Sequence, residues 1–139
     1  MGLRQQVQIH GSDYSTPDGT CIRDYIHIED LADLHHLCFE QLLKDHTSRV
    51  YNCGYGQGFS VKEVLETIQS LAPHRFQITT GPRRPGDPAH LVASTEYLRS
   101  VIDWTPKRHD LKKIGQSAID WEIHLQRGLP GAQNCINFK

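Results

Sequence analysis

Residues 82–88, Pro82-Arg83-Arg84-Pro85-Gly86-Asp87-Pro88, place three prolines, two arginines, a glycine and an aspartate in seven positions. Proline fixes φ and withholds a backbone donor, so neither a helix nor an interior strand runs through this stretch. Whatever the chain folds into must carry it as a restrained loop between regular elements. The same prolines lower the cost of ordering a charged loop around a ligand. Arginine offers a fixed fork of donors that suits phosphate, and aspartate accepts from hydroxyls. A solvated turn is the other reading, and the segment alone does not choose between the two.

On either side the pattern is mixed α/β. Val7 and Ile9 alternate with polar residues as a short strand, and Asp18-Gly19 marks a turn before an extended run over 21–28. Asp30 is expected to cap a helix whose apolar stripe is Leu31, Leu34, Cys38 and Leu42. Val50-Tyr51-Asn52-Cys53 is β-prone and meets glycines at once, so it is predicted to be a strand running into a loop. Ser60 and Glu63 form a capping box for a helix carried by Val61, Val64, Leu65, Ile68 and Leu71 and stopped by Pro73. A strand is predicted over 76–80, and Ser94 is expected to cap a helix through about Ile102. Asp110 begins the last helix, in which Leu111, Ile114, Ala118, Trp121 and Leu125 recur at three and four residues until Gly128 and Pro130 end it. Residues 131–139 are expected to be a loose tail.

The chain has 139 residues, enough for one domain that buries roughly two-thirds of its unfolded surface. A net charge of -1 leaves no basic excess to attract nucleic acid or an anionic membrane. No apolar run approaches the roughly 20 residues of a membrane span, and the first residues lack a signal peptide's apolar stretch, so a soluble, cytoplasmic protein is expected. Cys21, Cys38, Cys53 and Cys135 contain no C-x-x-C pair and read as intracellular thiols. His35 and His36 fall in a helical pattern where neighbours point about 100° apart, so they are poorly placed to share a metal ion, and no metal site is assigned.

Two further segments bear on chemistry. Gly54-Tyr55-Gly56-Gln57-Gly58 follows a strand-like run and precedes a helix, but a dinucleotide loop reads G-x-G-x-x-G and the third glycine arrives one residue early. A flexible strand-to-helix turn is the expected reading. Arg23 has neighbours Ile22, Ile26 and Ile28 that look buried, so it lies near a core. An ion pair with Asp24 or Asp30 is the ordinary explanation for such a residue, and a ligand contact is the other.

In order and wording, three segments resemble the C-terminal part of the UDP-glucose 4-epimerases, a family of extended short-chain dehydrogenase/reductases. They are Gly19-Thr20-Cys21-Ile22-Arg23-Asp24-Tyr25-Ile26-His27, Tyr51-Asn52-Cys53-Gly54-Tyr55-Gly56-Gln57-Gly58-Phe59-Ser60-Val61-Lys62-Glu63-Val64 and residues 82–88. The resemblance runs over residues 7–121. It implies an α/β fold comprising the C-terminal substrate domain plus a strand-helix remnant of the Rossmann sheet: residues 1–130 would form the substrate-binding part, with about 29–54 belonging to the sheet region. It further implies that Arg23 and Arg84 contact the diphosphate of a UDP-sugar and that Asp87 accepts from the uridine ribose. The backbone at Gln8 and His10 would lie against the uracil, and Leu91 beside the hexose. An aromatic residue is usual where His10 stands, and a helix-ending glycine is usual where Asp103 stands, a residue that tolerates the left-handed conformation less well.

The implied ligands are UDP-glucose and UDP-galactose, the implied cofactor is NAD, and the family is usually homodimeric. In that chemistry hydride leaves carbon four of the hexose for NAD, the 4-keto sugar turns over, and hydride returns to the other face. Other nucleotide-sugar epimerases or dehydratases, and a non-catalytic module that binds a UDP-sugar or serves as an interaction surface, are the alternatives. The chain contains no G-x-x-G-x-x-G and no Y-x-x-x-K: Tyr14, Tyr25, Tyr51, Tyr55 and Tyr97 are followed four residues later by Asp18, Glu29, Tyr55, Phe59 and Val101. The half that binds NAD is therefore expected to be absent, no residue is assigned a catalytic or cofactor role, and the chain alone is not expected to epimerise its substrate. The strand over 50–53 and the helix from Asp30 to about Lys44 would then be left with an unpaired edge and an uncovered apolar face, which favours self-association.

Overall fold

A computed structural model describes residues 5–127. In chain order its regular elements are β1 (Gln6–His10), β2 (Ile22–Asp24), α1 (Ile28–Asp45), β3 (Gly58–Ser60), α2 (Val61–Leu71), β4 (Gln77–Gly81), β5 (His90–Leu91), α3 (Glu96–Val101) and α4 (Leu111–Gln126). The strands form two small sheets. In one, β1 runs parallel to β4 with Val7 opposite Ile78 and Ile9 opposite Thr80. In the other, β2 is central, antiparallel to β3 and parallel to β5. Both parallel pairs need long crossovers, which the helices and the loop over 82–88 supply.

Local capping signals decide several helix starts. Ser60 Oγ accepts from the Glu63 amide at 3.0 Å, and α2 stops at Ala72, just before Pro73. Asp110 Oδ1 accepts from the Lys113 amide at 2.9 Å to open α4. The turn at Asp18-Gly19 also forms, with Asp18 Oδ1 accepting from the Thr20 amide at 2.9 Å and Gly19 at φ 79. Helix α1 departs from expectation. Its cap is His27, whose Nδ1 accepts from the Glu29 amide at 3.1 Å. Asp30 lies inside the first turn and is 1% exposed. In α3 the cap position is Thr95 rather than Ser94, with no side-chain bond. Asp103 does not take the left-handed conformation: His46, which ends α1, is the non-glycine residue of positive φ among the described residues. The chain leaves α3 through extended Ile102, and the Trp104 amide donates to Ile102 O at 2.9 Å.

The expected strand over 50–53 does not form. A strand exists only by pairing, and among the described residues no strand pairs with 50–53, where Val50 is 90% exposed. The strand before α2 is β3, which pairs with β2 instead.

Leu34, Leu98, Ile102 and Trp104 form the core between α1 and α3, with Ile26, Leu37, Cys38, Tyr51, Tyr55 and Val101 packed around them. Asp30 fastens this core to the approach of α4. It accepts from Tyr55 Oη at 2.8 Å, from the Lys107 and Arg108 amides at 3.1 and 2.9 Å, and from the Arg108 guanidinium at 3.1 Å. Burial alone would raise this carboxyl, but the hydrogen bonds from Tyr55 and Arg108 outweigh it and hold it below the ordinary value. Tyr55 stacks on Trp104, and burial pushes its phenol up to about 12.

Helix α4 packs on α2 through Gly115 and Ile119, its buried residues. A Cβ on Gly115 would stand 2.9 Å from Ile68 Cδ1 and 3.2 Å from Leu71 Cδ1, so the glycine is what admits the neighbouring helix. The apolar repeat of α4 lies beside the contact: Ile114, Ala118 and Trp121 border an open groove with Ile26 and Ile28, and Trp121 is 56% exposed. Cys21, Cys38 and Cys53 are free thiols. Among the described residues no helix is long and apolar enough to cross a membrane. Cys135, the helix stop at Gly128 and Pro130, and the tail over 131–139 lie outside the described residues.

Candidate functional site

The two parallel pairings bring the singled-out residues to the ends of one loop. Register in the first sheet sets Gln8 opposite Thr79 and His10 opposite Gly81, and from Gly81 the chain enters residues 82–88 directly. The Gln8 side chain lies across Gly81, where any side chain would collide with it. At the far end of the loop, Ala89 O accepts from the Ile22 amide at 2.8 Å, and β5 then sets Leu91 opposite Arg23. Midway, the Asp87 amide donates to Arg84 O at 3.2 Å, with Pro85 and Gly86 at the corners and Gly86 at φ 79. This is a type II turn, which requires positive φ at its third position and so favours glycine there.

Arg23 pairs with neither Asp24 nor Asp30. Its NH2 donates to Asp87 Oδ1 and, at 2.8 Å, to Pro88 O, while NH1 donates to Ile22 O at 2.6 Å. Among the described residues three of the guanidinium's five N–H groups are thus engaged and two remain. Asp87 also accepts from the Cys21 thiol at 3.7 Å. Arg23, Asp87 and Leu91 are therefore brought together. Arg84 stands one turn away, exposed, and its guanidinium makes no hydrogen bond or ion pair among the described residues. Gln8 and His10 stay on the other sheet, joined to the group through the loop.

Arg83 behaves differently from its neighbour. Its Nε donates to Asp13 Oδ1 at 2.7 Å, its NH2 donates to Asp13 O, and Cζ sits 4.2 Å from the centre of the Tyr14 ring. The Arg83 guanidinium holds the Asp13 carboxyl below its ordinary value.

Asp24 is a second residue whose part was not evident in the sequence. Its carboxylate accepts from the amides of Tyr55 at 3.1 Å, Gly56 at 2.9 Å and Ala93 at 3.3 Å. The Tyr55 and Gly56 amides of the glycine loop thus close on the Asp24 carboxylate. Side chains on Gly54 and Gly58 would collide with Asp24 and with Ile22 respectively. Only the alternation of β2, which turns Asp24 away from Arg23, hinted at this. Arg23, Asp24, Leu91 and Ser94 share the border of an open cavity of ≈ 490 Å³ with Tyr51, Asn52 and Cys53. Among the described residues no cluster of His, Cys, Asp or Glu could hold a metal ion.

The profile of the NAD dependent epimerase/dehydratase family matches residues 2–54. Over 94% of its length the chain is 46% identical to the UDP-glucose 4-epimerase of Azospirillum brasilense, of which it spans 39%. It is 46% identical over 92% of its length to that of Halalkalibacterium halodurans, of which it spans 38%. Among solved structures, the UDP-Glc/GlcNAc 4-epimerase from Campylobacter jejuni superposes with a TM-score of 0.80 at 44% identity, covering 88% of this chain and 37% of that one. The UDP-glucose-4-epimerase from Stenotrophomonas maltophila, solved with bound NAD and formylated UDP-arabinopyranose, superposes at 0.84 with 34% identity, covering 92% and 38%. The α/β arrangement described above is thus a partial stretch of the fold of these short-chain dehydrogenase/reductase-type epimerases.

Proposed function

We propose that this chain, a relative of the UDP-glucose 4-epimerases that spans under two-fifths of their length, forms the part of such an enzyme that grips the nucleotide of a UDP-sugar. In this reading the whole enzyme interconverts UDP-glucose and UDP-galactose through NAD-bound hydride and a 4-keto intermediate. The observation that carries it is the loop over 82–88, which presents an unengaged Arg84 one turn from the Arg23–Asp87 pair and Leu91.

Each residue then has a chemical task. Arg84 offers its full fork to the diphosphate, and Arg23 adds its two remaining N–H groups. Asp87, with one oxygen on Arg23, keeps acceptor capacity for the ribose hydroxyls. The backbone of Gln8 and His10, in a strand with one edge unpaired among the described residues, faces the uracil. Leu91, 60% exposed and unable to hydrogen-bond through its side chain, borders the hexose. A nucleotide clamped by charge beside a sugar held loosely suits a reaction in which the sugar must turn over. Residues 1–130 form the substrate-binding part, with about 29–54 contributing to the sheet region of the cofactor domain.

The described residues do not fit NAD. The one glycine-rich turn that leads into a helix has its Tyr55 and Gly56 amides closed on Asp24, so they are not available to a pyrophosphate. Hydride chemistry is what NAD would supply, and this reading assigns its binding to the part of the relatives' length that the chain does not span. The same reading gives the enzyme the family's homodimeric state and a cytoplasmic location, in keeping with the free thiols. Calorimetric titration of the folded chain with UDP tests the proposal. Saturable one-site binding is expected, and no heat of binding at millimolar UDP would reject it.

A further inference from the structure

We propose that Arg83 is a positioning residue, a latch that seats the loop over 82–88 so that Arg84 and Asp87 are set before a ligand arrives; the role rests on the nucleotide-gripping reading given above. Two adjacent arginines have opposite surroundings. Arg84 has no partner among the described residues, whereas Arg83 is held through Nε on Asp13 Oδ1 at 2.7 Å, through NH2 on Asp13 O, and by its face on Tyr14 at 4.2 Å. The fork reaches a carboxylate and a carbonyl of one residue while the plane stacks on the next, a geometry that lysine could not reproduce.

The socket is shaped for this contact. Gly11 lies beneath it at φ 89, and a Cβ there would come within 2.7 Å of Arg83 Cγ and 2.5 Å of the Tyr14 ring. The Gly11 amide donates to Gly81 O at 2.9 Å, which ties the end of β1 to the last residue before the loop. The socket is itself closed, with the Tyr14 amide on Gly19 O at 2.9 Å and Thr16 Oγ1 on Thr20 O at 2.7 Å. At the other end of the loop, Arg23 holds Asp87 and Pro88 O. The loop is therefore fixed near its beginning by Arg83 and at its end by Arg23, and Arg84 is carried between two fixed points. Fixing it beforehand removes part of the ordering cost of binding.

A direct ligand contact by Arg83 makes the opposite prediction about Asp13. If Arg83 gripped the anion, Asp13 would compete for it, and neutralising Asp13 would tighten binding. If Arg83 is a latch, neutralising Asp13 loosens the loop and weakens binding. Asp13 has a side chain 75% exposed, so Asp13→Asn leaves folding intact. The test measures the UDP dissociation constant by calorimetry and amide hydrogen exchange over residues 83–91, in the parent, Asp13→Asn and Asp13→Glu. Expected are a dissociation constant raised about two- to fivefold in Asp13→Asn with Tm unchanged, recovery in Asp13→Glu, and exchange in the loop accelerated only in Asp13→Asn. An unchanged or lowered dissociation constant in Asp13→Asn overturns the latch. Should the parent not bind UDP, the nucleotide-gripping reading fails by itself. Loop exchange then decides the latch: accelerated exchange in Asp13→Asn upholds it, and unchanged exchange overturns it.

Discussion

Tyr14 sits under Arg83 with its ring in use and its hydroxyl not. The residue is 6% exposed, and its hydroxyl is buried with no hydrogen-bond partner among the described residues. A buried polar group without a partner destabilises a fold, whereas removing the group and keeping the shape is close to neutral. Tyr14→Phe is therefore expected to leave Tm unchanged or raised and to keep the stacking on Arg83; a marked fall in Tm in a thermal scan would show that the hydroxyl has a partner after all. Asp30 is the opposite case, a buried carboxylate that accepts from Tyr55, Lys107 and Arg108. Its folded pKa lies below the unfolded value, so its contribution to stability is present above about pH 4 and is lost as pH falls through the folded value. Thermal scans from roughly pH 5 down to pH 3 are expected to show Tm falling in the parent and a flatter profile in Asp30→Asn, from a lower starting point. Parallel profiles would remove Asp30 from the acid response. Burial of Asp30 could not be read from the sequence, because its partners Tyr55, Lys107 and Arg108 are far along the chain.

At the scale of elements, the signals that proved legible are those settled within a few residues. The Ser60–Glu63 box and the Asp110 cap each satisfy an amide three positions on, and Pro73 stops α2 by its own geometry. What misled were choices made by distant groups. Asp30 has a good cap residue's chemistry, but Tyr55 and Arg108 engage its carboxylate, so His27 caps α1 instead. Residues 50–53 have strand composition and no strand beside them. In α4 the apolar repeat was legible, but the face that packs is chosen by Gly115, the residue that lets α2 approach. Gly115→Val is therefore expected to destabilise the chain by about 1–3 kcal/mol through overpacking against Ile68 and Leu71. Gly115→Ala should be near neutral, because a gain in helix propensity of about 1 kcal/mol offsets pressure on two movable methyl ends. Urea unfolding measures both; equal stability of Gly115→Val and the parent would mean that α2 and α4 do not pack as described.

Over the whole molecule, the uneven distribution of apolar surface stands out. The core gathers around Leu34, Leu98, Ile102 and Trp104, while Phe39, Leu43 and Val50 are 56%, 57% and 90% exposed toward and beyond the C-terminal half of α1. Such surface favours association. Sedimentation is expected to show self-association that rises with concentration and is reduced by Phe39→Lys with Leu43→Lys; a chain that stays monomeric at high concentration would contradict this. Of the candidate residues, the fold carries Arg23, Arg84, Asp87 and Leu91 to or beside one loop and leaves Gln8 and His10 on the other sheet. The different surroundings of Arg83 and Arg84 were not legible, because two adjacent arginines look alike until the fold gives one of them Asp13 and Tyr14.

Holding of a nucleotide by its diphosphate on this loop is tested most directly by comparing UDP with uridine binding in the parent chain and in Arg84→Ala. The parent is expected to bind UDP more tightly than uridine, and Arg84→Ala to lose about 1.5 to 3 kcal/mol of UDP affinity while uridine binding is unchanged. Equal affinity of the parent for UDP and uridine, or a UDP preference undiminished in Arg84→Ala, would contradict it.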